Sequence, residues 1–287
     1  MNIVVIGASG LLGSACLSIF NENPNIKAIG TFRYKFDCNK FPYDSKHHYF
    51  LSDALDVKQI EVLFQQLKPA VVINCTSLSK NKLQLNDPLE LIPIYALLPH
   101  IIAKFCRQYS ARFIQISSDG VFSGNKGYYS EEDLPDACDL YGKTKLLGEV
   151  SSGDSITLRT SMIGHDHKQQ NGLVSWFLNQ EGPCKGFSKA IFSGFPVTVL
   201  ARIIRDHVLK DDALHGIYNL ASKPISKFDL LQLISEIYTK NVTVIPDDSI
   251  KINRSLDASR FNDAAKYEPP SWRKMITLMH DDYMKNK

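Results

Sequence analysis

Ile3-Val4-Val5-Ile6 is a continuous apolar run stopped by a glycine, the pattern of a strand covered on both faces. Leu11 to Phe20 then reads as a helix, Ile26 to Thr31 as a second strand and His48 to Leu51 as a short third. Val57 to Leu67 is a helix and Ala70 to Asn74 a fourth strand. A long helical pattern runs from Leu89 to Tyr109, where Pro93 and Pro99 predict a kink or broken first turns. Arg112 to Ile116 is a fifth strand, Asp139 to Val150 a helix, and Ser155 to Leu158 a sixth strand. Strands alternating with helices in this way predict an α/β fold of Rossmann type, a mostly parallel, doubly wound sheet reached by right-handed crossovers.

After Arg159 the pattern loosens. His165 to Gly172 is polar without a usable period, Leu173 to Leu178 is a helical fragment, and Gly182 to Phe195 reads as a loop with a short strand. Val197 to Leu209 and Lys227 to Tyr238 are helices, the second with Ser226 as candidate cap. Val242 to Ile245 is one more strand and Trp272 to Tyr283 a closing helix. The expected division is a dinucleotide-binding domain over 1–160 and a smaller C-terminal substrate-binding lobe over 161–287, with some of its segments returning to the first domain.

A chain of 287 residues with 44% hydrophobic and 22% charged residues has enough apolar material for a large core. Its net charge of +3 comes from interspersed acids and bases, which argues against a nucleic-acid track. Cys16, Cys38, Cys75, Cys106, Cys138 and Cys184 are widely separated and form no C-x-x-C pair, so they read as reduced thiols. No uninterrupted apolar run reaches the ~18 residues of a membrane span. Met1-Asn2 leads straight into a strand with no cleavage signal, and the expectation is a cytoplasmic protein.

Gly7, Gly10 and Gly13 follow a strand and open a helix, the context that a dinucleotide fingerprint requires. Gly7 permits the tight turn, Gly10 the approach of backbone N–H groups to a pyrophosphate, and Gly13 the close seating of the helix. Ser9, Leu11 and Leu12 complete the candidate cradle, where the helix N-terminus offers donors and partial positive charge. A free adenosine ribose is usually met by an acid at the end of the second strand. Here that place holds Arg33 and, two residues on, Lys35. Arg33 suits a 2′-phosphate, which favours NADPH over NADH. Asp53, after the third strand, is a candidate for the adenine amino group or a helix-flanking acid.

Reducing a carbonyl with hydride leaves an oxygen that needs a proton from the protein. Tyr141 can provide it if neighbouring positive charge makes its phenol more acidic, and Lys145 stands four residues later on the same helical face. Ser118 lies at the C-terminal end of the fifth strand, where such sheets bind ligands, and can donate to the carbonyl. Ser117 is its backup and Asp119 a candidate substrate contact or turn cap. Arg254, just before Leu256-Asp257, is a plausible phosphate partner. His165 and His167 flank Asp166 but show no further ligand at metal spacing, so no metal is expected. Trp176, Phe187 and Phe192 read chiefly as core of the smaller lobe.

Two longer motifs carry a family resemblance. Ser117-Ser118-Asp119-Gly120-Val121-Phe122-Ser123-Gly124 is similar to Ser-Thr-Asp-Tyr-Val-Phe-Asp-Gly, and Tyr141-Gly142-Lys143-Thr144-Lys145-Leu146-Leu147-Gly148-Glu149 to Tyr-Gly-x-x-Lys-x-x-Gly-Glu. With the N-terminal glycines they make the chain resemble the extended short-chain dehydrogenase/reductases, in the branch of dTDP-4-dehydrorhamnose reductase and related nucleotide-sugar reductases. The resemblance implies Ser118, Tyr141 and Lys145 as catalytic residues, Asp53 near adenine and Arg254 in a late arginine motif. It further implies reduction of the 4-keto group of a nucleotide-linked 6-deoxy sugar. Exposed helix pairs often make dimers in such folds, so a homodimer is a candidate, but the sequence pattern does not distinguish that surface from solvated helix and leaves the oligomeric state open. Gly120 departs from the branch, which has tyrosine there, and Ser188 to Phe195 does not match its proline-threonine loop; both leave the sugar open. The alternatives are an epimerase or dehydratase with tightly held NAD, and a non-catalytic NADP-binding regulatory subunit.

Overall fold

The computed structural model describes residues 1–34, 45–78, 86–165 and 172–285; Lys35, Cys38, Asp166 and His167 lie outside them. Seven strands form the main sheet: β1 (Asn2–Ile6), β2 (Lys27–Phe32), β3 (His48–Phe50), β4 (Val71–Asn74), β5 (Arg112–Ile116), β6 (Ile156–Arg159) and β7 (Gly216–Asn219). Their order is β7-β6-β5-β4-β1-β2-β3 and every pairing is parallel. The winding direction reverses between β1 and β4, which opens the crevice where this class of sheet takes its ligand.

The alternation of side chains along β1 decides which helices cover which face. Ile3 and Val5 enter a core with α1 (Leu11–Asn21), while Val4 and Ile6 enter another with α2 (Val57–Leu67) and the helix over Pro88–Gln108, α3. The carboxylate of Asp56 caps α2, accepting from the N–H groups of Lys58 and Gln59. In α3 the two prolines neither break nor end the helix. Residues Ile92–Leu97 form a π-helical turn in which the Leu98 N–H reaches the Pro93 carbonyl, and Pro99 cannot donate to the carbonyl of Tyr95. The most apolar 18-residue window of α3 has a mean hydropathy of 1.5, apolar enough for a membrane span although no unbroken apolar run shows it. Half of that stretch is buried within the protein, where Leu98, Ile102 and Phe105 pack against Ile60 and Phe64 of α2.

The second half interleaves with the first. The chain continues through α4 (Leu140–Leu147), α5 (Leu173–Leu178) and α6 (Val197–Asp206), then returns to the main sheet at β7. Leu200 and Ile204 of α6 share the core of α1 and β1. The remaining elements, α7 (Lys227–Ile237) and α9 (Trp272–Lys285), close a separate core of Phe177, Phe192, Leu230, Ile234 and Ile276, with α8 (Ser259–Ala265) between them in sequence. Ser226 caps α7 by accepting from the Asp229 N–H at 3.0 Å. Three small sheets serve this half: Met162–Ile163 with Phe195–Pro196, Cys184–Phe187 with Val244–Asp247, and Ala190–Phe192 between Ile225–Ser226 and Ile252–Asn253.

Candidate active site

The glycine loop sits at the end of β1, beside the first residues after β4. Gly7 has φ +82, and a Cβ there would stand 2.9 Å from the backbone of Thr76. Only glycine meets both demands. The Gly7 N–H donates to Thr31 Oγ1 at 3.2 Å, and the Gly10 N–H to the Gly7 carbonyl at 3.0 Å, which tightens the turn. A Cβ at Gly13 would run into the Gly7 carbonyl and lie 2.9 Å from Ala8 Cα, so α1 rests directly on its own loop. Gly10 is the N-cap of α1 and no side chain caps that end. A cradle closed to any Cβ, under a helix end without a side-chain cap, fits a dinucleotide pyrophosphate.

The end of β5 brings Ser118, Tyr141 and Lys145 together. Ser118 is buried; its Oγ accepts from the Gly120 N–H at 2.9 Å, donates to Asp119 Oδ1 at 3.2 Å, and hydrogen-bonds with Tyr141. The carboxylate of Asp139 starts α4 by accepting from the Gly142 N–H at 2.7 Å. That cap fixes the first turn, which carries Tyr141, and one turn on Lys145 is 6% exposed and donates through Nζ to the Ile116 carbonyl at 2.6 Å. Gly120 separates the two walls of the site: a Cβ there would stand 3.1 Å from both Ser118 Oγ and Tyr141 Cε1.

Electrostatics correct one expectation. Burial, not neighbouring positive charge, dominates Tyr141 and raises its phenol above the ordinary value of 10.0, opposed by the hydrogen bond with Ser118 and reinforced by Tyr95, Asp119 and Asp139. The phenol is therefore held protonated, ready to donate. Burial lowers Lys145 to about 8, with Glu149 and Cys75 pulling the other way. It also raises the Asp119 carboxyl, against the charges of Arg254 and Lys227 and hydrogen bonds with Ser118 and Ser161.

Ser117, the alternative to Ser118, points elsewhere. Its hydroxyl donates to Glu149 Oε1 at 2.7 Å, within an ion pair in which Arg159 Nη2 lies 2.8 Å from Glu149 Oε2. Adjacent strand residues face opposite sides, and here the pleat sends Ser118 to the cleft and Ser117 to the interior. Arg254 reaches the same cleft, 3.5 Å from Asp139, and its buried Nε has no hydrogen-bond partner. Arg33 is exposed just past β2. Asp53 is exposed past β3, where its Oδ1 accepts from the Leu55 N–H at 2.9 Å. His165 stacks on Tyr283 with ring centres 3.8 Å apart and lies 2.8 Å from the Tyr238 hydroxyl. Residues without any sequence motif also shape the site, foremost Tyr95, whose ring meets Tyr141 edge to face at 5.3 Å and lies 5.2 Å from Lys145 Nζ. Asn74 and Gln115 are buried, with Asn74 Nδ2 donating to Gln115 Oε1 at 2.9 Å, and the half-buried Thr76 donates through Oγ1 to Asn74 Oδ1 at 2.8 Å.

A seven-stranded parallel sheet with a glycine cradle at its switch point, and a Ser-Tyr-Lys group on the next strand end but one, defines the extended short-chain dehydrogenase/reductase class. Comparison with known proteins gives the family: the model described as RmlD substrate binding domain matches residues 1–285, and the chain belongs to that RmlD-like family. Its fold is that of the dTDP-4-dehydrorhamnose reductase of Bacillus anthracis solved with NADP (TM-score 0.78, 21% identity, 100% of this chain and 99% of that one). A hypothetical dTDP-4-dehydrorhamnose reductase from Sulfolobus tokodaii superposes with a TM-score of 0.77 at 25% identity, over 95% of this chain and 98% of that one. Among curated proteins, the methionine adenosyltransferase 2 subunit beta of Danio rerio is 27% identical over 253 residues, 82% of this chain and 73% of that protein. The same subunit from Xenopus tropicalis is 33% identical over 152 residues, 51% of this chain and only 41% of the relative's length.

Proposed function

We propose that this chain is an NADPH-dependent reductase acting on the 4-keto group of a nucleotide-linked 6-deoxy sugar, in the synthesis of cell-surface polysaccharide precursors. The observation that carries the reading is the meeting of Ser118, Tyr141 and Lys145 at the end of β5, beside the glycine cradle. Gly7 through Gly13 would hold the pyrophosphate, Arg33 the 2′-phosphate and Asp53 the adenine edge. When bound, the reduced nicotinamide supplies the hydride.

The rest falls to side chains. Ser118 turns its hydroxyl to the carbonyl oxygen and polarises it. As a new C–H bond forms at the carbonyl carbon, the π electron pair moves to oxygen, and Tyr141 transfers its phenolic proton there to give the alcohol. Lys145 favours the phenolate left behind until solvent returns a proton. Arg254, with its donor unpaired, would take a phosphate oxygen of the substrate. The residues after 160 would form the substrate side of the cleft.

The test is to incubate purified protein with NADPH and dTDP-, UDP-, GDP- and CDP-linked 4-keto sugars and follow loss of reduced-nicotinamide absorbance. Oxidation that requires a keto sugar is the expected result. Product without net cofactor consumption would instead mark an epimerase or dehydratase. A second reading, a cofactor-binding regulatory subunit, is favoured by relatives named as a subunit of methionine adenosyltransferase. NADPH binding without turnover on the whole panel would select it.

A further inference from the structure

We propose that Tyr95 is a positioning residue for the Tyr141–Lys145 pair: its ring carries the lysine ammonium on one side, meets the tyrosine ring edge to face, and is anchored through its hydroxyl to the backbone beyond β4. Three observations converge on it. Lys145 Nζ lies 5.2 Å from the centre of the Tyr95 ring, within the range of a cation–π attraction, and the lysine is 6% exposed. The Tyr95 and Tyr141 rings meet at 5.3 Å and 89°, the edge-to-face geometry that aromatic pairs favour. The hydroxyl of Tyr95 accepts from the Leu78 N–H at 2.8 Å and lies 3.3 Å from Ser77 Oγ, so the ring is held at its far end too.

The backbone explains why this side chain is in place. Tyr95 lies in the π-helical turn of α3, and a Cβ at Gly148 would collide with its carbonyl, so α4 packs directly against that turn. The widened turn thus delivers one aromatic ring to both members of the pair. The other charged or titratable groups acting on Lys145 are Glu149, just past α4, and Cys75, just past β4. Both favour the ammonium, and the ring adds to them in a place where water cannot.

What the pair does chemically rests on the reductase reading, but the test needs neither cofactor nor keto sugar. The Lys145 amine is titrated by nitrogen-detected NMR in the full chain, its signal identified by loss in Lys145→Met. The wild-type midpoint is expected at about 8. Tyr95→Leu removes the ring and should lower the midpoint by about one pH unit, whereas Tyr95→Phe keeps the ring and should restore it. Should the leucine variant not fold, ring-fluorinated phenylalanine at 95 keeps the shape and drains the negative face, and the midpoint should fall with each added fluorine. A midpoint unmoved by leucine or by fluorination overturns the proposal, as does an equal fall in Tyr95→Phe. A shifted midpoint in a protein that turns over no keto sugar would leave the positioning role standing and sink the reductase reading alone.

Discussion

Replacing Glu149 by glutamine tests the buried ion pair that holds Ser117 on the interior side of the strand end. The Glu149 and Arg159 side chains are each only 4% exposed. Glu149 accepts from Ser117 Oγ at 2.7 Å, from Arg159 Nε at 2.9 Å and from Arg159 Nη2 at 2.8 Å. Unit charges about 4 Å apart attract by about 4 kcal/mol at an effective dielectric near 20, against a desolvation cost of several kcal/mol per ion. The net value of the pair is therefore small, but breaking it is costly. Glu149→Gln keeps the shape while leaving the guanidinium, 5.3 Å from the Phe122 ring centre, without its counter-ion. The expected loss is about 3–5 kcal/mol, a large fraction of the ~5–15 kcal/mol that holds a typical protein folded. Urea unfolding reads it as a fall in midpoint at constant slope. The double variant Glu149→Leu/Arg159→Met removes both charges and should recover most of the loss. A single variant within about 1 kcal/mol of wild type, or a double as damaged as the single, would refute this assignment of charge and burial.

Three further outcomes follow from the same geometry. Burial holds Lys145 at about 8 against an ordinary 10.5, so the folded state binds fewer protons than the unfolded one between those values and its stability rises with pH there. Wild type should gain on the order of 3 kcal/mol relative to Lys145→Met between about pH 8 and pH 10.5, by urea midpoints; a constant difference between the two proteins contradicts the burial argument. Gly13→Ala places a methyl against the Gly7 carbonyl and 2.9 Å from Ala8 Cα, and should weaken NADPH binding about tenfold or more in a fluorescence titration, an effect of ~1.4 kcal/mol. Wild-type affinity there would mean that the cradle does not hold the cofactor. Gly120→Ala sets a methyl 3.1 Å from Ser118 Oγ and Tyr141 Cε1, and should lower kcat by roughly tenfold with KM little changed, short of the ~100-fold that a full ångström of misplacement costs. A change confined to KM would move Gly120 from the chemistry to substrate binding.

The first half of the fold was legible because its strands, short β3 apart, are buried on both faces and each helix is bounded by turn residues. Ile3 to Ile6 shows this most plainly, with alternate side chains entering two separate cores. The second half was not, because its strands are two to four residues long and paired across distant stretches, as when Ala190–Phe192 takes partners at Ile225–Ser226 and Ile252–Asn253. β7 left no mark either: Gly216 to Tyr218 are only half-buried, and the strand completes the main sheet through tertiary pairing with β6. Gly182 to Phe195 holds more strand than its glycines suggest, and the strand expected at Val242 begins at Val244. Of the site, the glycine cradle and the Tyr141–Lys145 spacing were local patterns and could be read. The pleat that parts Ser117 from Ser118 could not, nor could Tyr95, which reaches the pair only through the π-helical turn over Ile92–Leu97. The balance at Tyr141 was also hidden, since the sequence displays the nearby lysine but not the burial that outweighs it.

Tyr141→Phe under single-turnover conditions, with NADPH bound and the keto-sugar nucleotide found by the substrate panel, puts the proton-transfer step itself to trial. Loss of the phenolic proton should slow NADPH oxidation by roughly 100-fold or more while NADPH affinity stays near the wild-type value. A phenylalanine variant that oxidises NADPH at the wild-type rate would contradict the account.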